Sequence, residues 1–406
     1  LALLALPFVY NHVFQMGFYN FSFSLVFGFF LIGYWLKWQE DFTDVRKFWF
    51  ALLGLLCVFS HPVGLLVSLS AIGLLFLAHN VTDYKQFWQR VLDVLLPLLP
   101  TIMVMLGFFY WKNGATSGGK EPFSDLLNNF LDLTALVALN HAERPVAQAV
   151  AIFFALLLII GIIQRIRHFS LQKKDVFFII FLFWLILYLN LPGAVAGGGI
   201  TGIRIQFIPY LLLIFWLANL DWQRFLQWFI GGVGIASALI LLGIRLPTYQ
   251  KLSLAIAEIR TAAPYIENEK TVLNLTYAFN GKNPDGSMIA DANYLFLHAA
   301  DYVAVDRYVI MMPNYEGGTY NFPLIWRWQY EPFAQIGNLE GIPPQANFLD
   351  FTQRTGGQID YVLTSWLDDQ WKDHPNTQHV LQQLEQGYEL IFTSPQGIVK
   401  LYRRKI

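Results

Sequence analysis

Cysteine is nearly absent. Cys57 is the only one in 406 residues, so an intrachain disulfide is impossible, and its place inside an apolar run reads as a small buried hydrophobe. Charge is scarce as well: Asp, Glu, Lys and Arg make up 14% of the chain, where soluble globular chains carry about 25%. That deficit excludes a single water-soluble core. Strong catalytic signatures are also missing, since no Walker loop, dinucleotide fingerprint, nucleophile elbow or zinc-ligand spacing stands in the sequence. No basic run suits nucleic acid, and there is no internal repeat or low-complexity tract. The residues identify no cofactor, and no ligand spacing supports a divalent metal. The first residue is Leu1 rather than Met, and no charged segment precedes the apolar start as a signal peptide requires, so the natural N-terminus is expected upstream.

What the chain has is hydrophobic length. Apolar residues make up 55% of it, and the mean hydropathy is +0.44. The two parts differ: 14 basic residues face 11 acidic ones up to Ile244, and 13 face 17 beyond it. A helix needs about 20 mostly apolar residues to cross the hydrocarbon core. Runs that meet or approach this are Phe14–Leu36, Phe48–Ala78, Val91–Trp111, Ala147–Gln164, Val176–Leu191, Ile205–Leu220 and Phe225–Ile244. The expected fold is therefore a polytopic α-helical membrane bundle of about 7–8 spans over residues 1–245. A small extracytoplasmic α/β or α+β domain follows over residues 246–406.

Orientation follows from Lys and Arg, which concentrate in short cytoplasmic loops. Arg165, Arg167, Lys173 and Lys174 mark Arg165–Asp175 as inside. This places Lys112–Val146 and Pro192–Arg204 outside, and residue 245 onward outside too. The loop with Lys37, Arg46 and Lys47 and the loop with Lys85 and Arg90 both read as cytoplasmic, yet one apolar run separates them. That run, Phe48–Ala78, contains Ser60-His61-Pro62. It is either one kinked helix or two short helices turning at His61-Pro62 near the outer face, because proline disrupts the ladder and the residue before it avoids helical geometry.

Beyond Leu246-Pro247 the segments are short and mixed. Ser253–Ile266 and Thr377–Gln386 read as helices. Thr271–Tyr277, Tyr308–Met312, Ile359–Ser365, Glu389–Ser394 and Ile398–Arg403 read as strands rich in β-branched and aromatic residues.

The outer segments hold the candidate chemistry. Lys112–Val146 is long for a connection and contains Glu121 and Asp125, the two carboxylates best placed by topology for a catalytic role. Asp125 and Asp132 are seven apart, on one face if helical. Leu191–Arg204 is glycine-rich and ends in Arg204, an arginine at the start of a span, where it must snorkel or meet an anion; its planar fork suits a phosphate. His61 sits in an apolar run and faces either a packed carbonyl or a polar cavity. Asn11 and His12 carry the same alternatives. Asn314–Thr319 is a glycine-containing turn that presents Tyr315 and Glu316.

Taken in order, Tyr10-Asn-His, Gly17-Phe-Tyr-Asn-Phe21, the run broken by Ser60-His-Pro62, the glycine-rich loop ending in Arg204, and Ile359-Asp-Tyr-Val-Leu363 through Lys400-Leu-Tyr-Arg-Arg404 resemble the C-type (GT-C) integral-membrane glycosyltransferases. The bacterial members similar to protein mannosyltransferases and aminoarabinose transferases are the nearest in pattern. The resemblance implies a bacterial inner-membrane enzyme that moves a sugar from a polyprenyl-phosphate carrier to a glycan, lipid or protein acceptor on the outer face. Arg204, His61, Asn11, His12 and Glu316 would be substrate-binding. The family's catalytic carboxylate lies in an acidic motif of the first outer loop; no such motif stands here, and if the natural chain extends upstream of Leu1 the resemblance implies that it lies there, leaving Glu121 and Asp125 as the candidates within this sequence. The alternatives are a lipid or glycan transporter or flippase, whose members often pair broken helices in matching halves, and a non-catalytic membrane scaffold.

Overall fold

The computed structural model describes residues 1–80, 84–111, 118–168, 172–194, 199–318 and 324–405. They divide into two compact units, Leu1–Gly243 and Ile244–Ile406.

The first unit is helical. A 3-10 turn (Ala2–Phe8) leads to α1 (His12–Gln15) and α2 (Tyr19–Trp38), then α3 (Asp44–Ser60), α4 (Pro62–Asn80) and α5 (Tyr84–Trp111). α6 (Phe123–Asp132) lies in the long connection. It is followed by α7 (Arg144–His168), α8 (Val176–Tyr188), α9 (Thr201–Ile205), α10 (Phe207–Ala218) and α11 (Arg224–Arg260), within which the division between units falls.

Among the described residues, six helical segments are long and apolar enough to cross a membrane: Tyr19–Trp38, Pro62–Asn80, Phe87–Trp111, His141–Arg167, Thr201–Ala218 and Arg224–Tyr265. Large apolar side chains point outward from them, Phe30 at 63% exposure and Ile152 at 61%, a surface suited to lipid rather than water. Six is fewer than the seven to eight spans expected, because α3 and α8 run between the two ends of the bundle but fall short of a full span. α3 has 17 residues and begins with Asp44, Arg46 and Lys47, and α8 has 13, or about 20 Å of helix.

The run Phe48–Ala78 is two helices. His61 is extended, with φ −167° and ψ 137°, as the residue before a proline prefers. Pro62 opens α4, where a missing N–H breaks no helical bond, and His61 Nδ1 accepts from the Val63 N–H at 3.2 Å. Beside this turn Ser24 of α2 touches both helices: Cys57 Sγ donates to its carbonyl at 3.3 Å, and a Cβ on Gly64 would collide with its backbone. At the far ends Lys47 pairs with Asp93 at 2.6 Å, and Arg90 donates to Asn80 at 2.6 Å. The start of α3 and the end of α4 therefore lie together, as a hairpin requires.

The same end holds the third basic loop. Lys173 donates to the His79 carbonyl, and Arg165 pairs with Asp175 at 2.8 Å. Residues 37–47, 79–80, 84–93, 165–168 and 172–175 thus share one end of the bundle, while His61, the 118–143 connection, and residues 188–194 and 199–204 share the other. The Lys85 side chain lies outside the described atoms.

The second unit holds a five-stranded sheet of order β2-β1-β3-β5-β4, from β1 (Lys270–Thr276), β2 (Val309–Met311), β3 (Tyr361–Ser365), β4 (Tyr388–Thr393) and β5 (Val399–Arg404). β1 runs parallel to β2 and β3, and β5 runs antiparallel to β3 and β4. Along the chain, α12 (Tyr302–Asp306) precedes β2; α13 (Pro332–Gln335) and α14 (Phe348–Thr355) precede β3; α15 (Pro375–Gly387) joins β3 to β4. β3 is buried along its whole length and β1 beyond its first two residues, which is how parallel strands covered on both faces are built.

Candidate functional site at the non-basic end of the bundle

Two loops pair at this end and bring a carboxylate to an arginine-bearing helix. The Gly118 N–H donates to Ala194 O at 3.2 Å, and Gly193 N–H to Gly119 O at 2.9 Å; Lys120 and Pro192 bridge between them. Glycine permits this approach, since a Cβ on Gly118 would stand 2.7 Å from the Ala194 nitrogen. The pairing sets Glu121, half-buried, against α9: a Cβ on Gly202 would stand 2.8 Å from Glu121 Oε2 and 3.1 Å from Oε1. Gly202 is two residues before Arg204. Ile200, at the N-cap of α9, has φ +49°, a genuine outlier for a β-branched residue. Residues 195–198 of the glycine-rich loop lie outside the described residues.

Arg204 stacks its guanidinium over the Phe18 ring at 3.9 Å. One turn further on α2, Phe21 packs edge-on against His61 at 5.3 Å. Arg204, His61 and Glu121 therefore converge on one end of the bundle from three separate parts of the chain. Because His61 Nδ1 accepts from Val63, the neutral ring carries its proton on Nε2, as a donor.

The other candidates are placed differently. Asn11 is buried and caps α1, accepting from the Phe14 N–H at 3.0 Å and donating to Phe8 O at 2.9 Å. His12 Nδ1 bonds Val137 O at 2.9 Å. Asp125 is exposed in the first turn of α6, where it accepts from Ser124. Asp132, at the helix end, is held by Gln148 at 2.9 Å and Arg144 at 2.7 Å, which keep its carboxyl below the usual range. Glu316 belongs to the second unit, in the 3-10 turn Tyr315–Gly318, beside a His298 ring stacked on Tyr315 at 5.4 Å; Thr319 lies outside the described residues.

Three residues that frame the site were not singled out from sequence. Glu143 is completely buried and accepts from the N–H groups of Ala138, Leu139 and Asn140 at 2.8–3.0 Å, fixing the loop that meets His12. Its signal was a capping box, Asn140 with Glu143 three residues on. Gln206, also fully buried, holds Thr134 and the Ala135 N–H through its amide. Tyr188 donates to Leu126 O at 2.8 Å, anchoring α6 beside Glu121. Among the described residues no group of three His, Cys, Asp or Glu could hold a metal ion.

A helical bundle with six membrane-length segments, and a separate unit built on a mixed five-stranded sheet, define an integral membrane protein. Compared with family models and with curated proteins, the chain matches none.

Proposed function

We propose that this protein is a membrane glycosyltransferase that moves a sugar from a polyprenyl-phosphate carrier to an acceptor hydroxyl at the outer face of a bacterial inner membrane. The observation that carries the reading is the loop pairing that seats the Glu121 carboxylate against Gly202, two residues from Arg204. Glu121 takes the proton of the acceptor hydroxyl as the oxygen attacks the sugar's anomeric carbon. The bond from that carbon to the carrier phosphate breaks, and the phosphate leaves with the electron pair. Arg204 meets that phosphate with a fixed cation, and His61 Nε2–H is the nearby donor. The three basic loops gathered at the opposite end support an outward orientation for this one, because Lys and Arg concentrate in cytoplasmic loops. On the same argument the second unit is extracytoplasmic.

The test is transfer from a radiolabelled polyprenyl-phosphate sugar in membranes holding the wild type, Glu121→Gln or Arg204→Ala. Loss of a general base lowers rates by about 10²–10⁴-fold, so Glu121→Gln should fall at least a hundredfold while its abundance is unchanged. Full activity in Glu121→Gln, or no consumption of any lipid-linked sugar by the wild type, would refute the assignment.

A further inference from the structure

A cleft opens at the basic end of the bundle, away from the site just described, between the end of α2, the end of α4 and the start of α5. Trp35, Phe42 and Phe76 give it an aromatic wall, and Glu40, Arg90 and Asp93 give it charge. Glu40 is exposed at its lip, and Arg90 and Asp93 are half-buried, so a molecule at the surface meets all three. The recess measures about 30 Å³, room for a few waters, since one needs about 10–15 Å³.

Contacts around the cleft hold these side chains in place. Arg90 Nη1 donates to Asn80 Oδ1 at 2.6 Å, and Asn80, itself buried, donates to the Phe76 carbonyl at 2.9 Å. Lys47 pairs with Asp93 at 2.6 Å and offsets that carboxylate. Glu40 and Arg90 then supply one charge of each sign, and among the described residues no salt bridge joins the two.

The depth of the cleft says where its ligand comes from. Trp88, two residues before Arg90, is 65% exposed, and Trp49, two after Lys47, is 50% exposed. Exposed tryptophans near the ends of spans sit at the headgroup level of a bilayer, and basic pockets between helices at that level take lipid headgroups.

The charges select which headgroup. A phosphate suits the planar fork of Arg90, which has more donors than the one given to Asn80. A primary ammonium suits the Glu40 carboxylate and the aromatic wall, because cations are drawn to ring faces. That ammonium is about as large as a water and fits the recess. The choline group, with a methyl in place of every N–H, is too large for it and donates nothing, and a glycerol headgroup offers Glu40 no cation. We infer that the cleft binds the phosphoethanolamine headgroup of a phospholipid, with the ammonium between Glu40 and the aromatic wall and the phosphate on Arg90.

The experiment is native mass spectrometry of the full chain released from micelles, after equilibration with equal amounts of dioleoyl phosphatidylethanolamine, phosphatidylcholine and phosphatidylglycerol. The wild type should retain the ethanolamine lipid at least about fivefold more than either of the others, the size of one well-formed charge pair. Glu40→Gln should abolish that preference, and Arg90→Gln should lower retention of the ethanolamine lipid by about the same factor. Glu40 is exposed, so its variant keeps the fold and decides the matter even where losing the Arg90–Asn80 bond unfolds the other. Glu389→Gln, which alters only an exposed pair with Arg403 in the second unit, should match the wild type. Equal retention of the three lipids by the wild type, tightest retention of phosphatidylglycerol, or an unchanged preference in Glu40→Gln would each overturn the inference. None of these readouts involves sugar transfer, so failure here and failure of the proposed activity are told apart.

Discussion

Gly202 has no side chain where Glu121 needs the room. Gly202→Ala puts a methyl group within 2.8 Å of the carboxylate, so Glu121 must move; misplacement by about 1 Å can cost a hundredfold in rate. Transfer activity is expected to fall at least tenfold with the melting temperature little changed. Glu143 governs stability instead. Glu143→Ala strands two buried N–H donors, of Ala138 and Leu139, and a part-buried one, of Asn140; each buried donor is worth about 1–3 kcal/mol, so a loss of at least about 2 kcal/mol is expected in thermal or denaturant unfolding of the purified protein. His298 gives a pH dependence. Burial lowers its pKa below 6.5, with the Glu316 charge opposing as the smaller cause. The unfolded chain then binds the proton more readily, so the stabilisation from a neutral His298 is present above pH 6.5 and is lost as pH falls towards the folded value. Protection factors around residues 296–303, which divide out the fall in intrinsic exchange rate at lower pH, should decrease between pH 7.5 and pH 5, and His298→Gln should remove that change. Sequence reading singled out Arg204 and His61 because a charge or a histidine stands out in apolar surroundings, and Glu121 only by topology. It missed Gln206 and Tyr188, whose roles rest on carbonyls and amides contributed by residues far away in the chain.

At the scale of elements, the His61-Pro62 turn is the decisive feature. With Cys57 replaced, a cysteine at position 61 should react with a membrane-impermeant thiol reagent in intact cells, and one at position 40 should not. The reverse pattern would contradict the hairpin. Gly64→Leu should prevent α2 and α4 from packing, since Gly64 lies against the Ser24 backbone and small residues are what allow membrane helices such an approach; little folded protein should be recovered in detergent. All five strands of the second unit were legible because β-branched and aromatic residues cluster between turn residues. α8 was not: apart from Asn190, Val176–Leu191 is apolar or aromatic, and hydropathy does not reveal that the helix ends at Tyr188 to lead into the pairing of Pro192–Ala194 with Gly118–Lys120. One proline raised the α3–α4 division as one of two readings of the run, and the contacts of Lys47 and Arg90 decide between them.

For the whole molecule, the gathering of basic loops at one end predicts the side on which everything else works. Ser287, exposed in the second unit, should be labelled from outside the cell as a cysteine in a Cys57-free background. Labelling only after the membrane is permeabilised would invert the orientation and remove the argument for an outer-face reaction. α8 adds a consequence for the lipid around the protein. At about 20 Å it falls short of a hydrocarbon core of about 30 Å, and a short helix is met by local thinning or by headgroups drawn inward. Its Tyr188 end is the end that anchors α6 beside Glu121. The membrane surface is therefore expected to dip on this flank, carrying water and lipid phosphate below their ordinary depth.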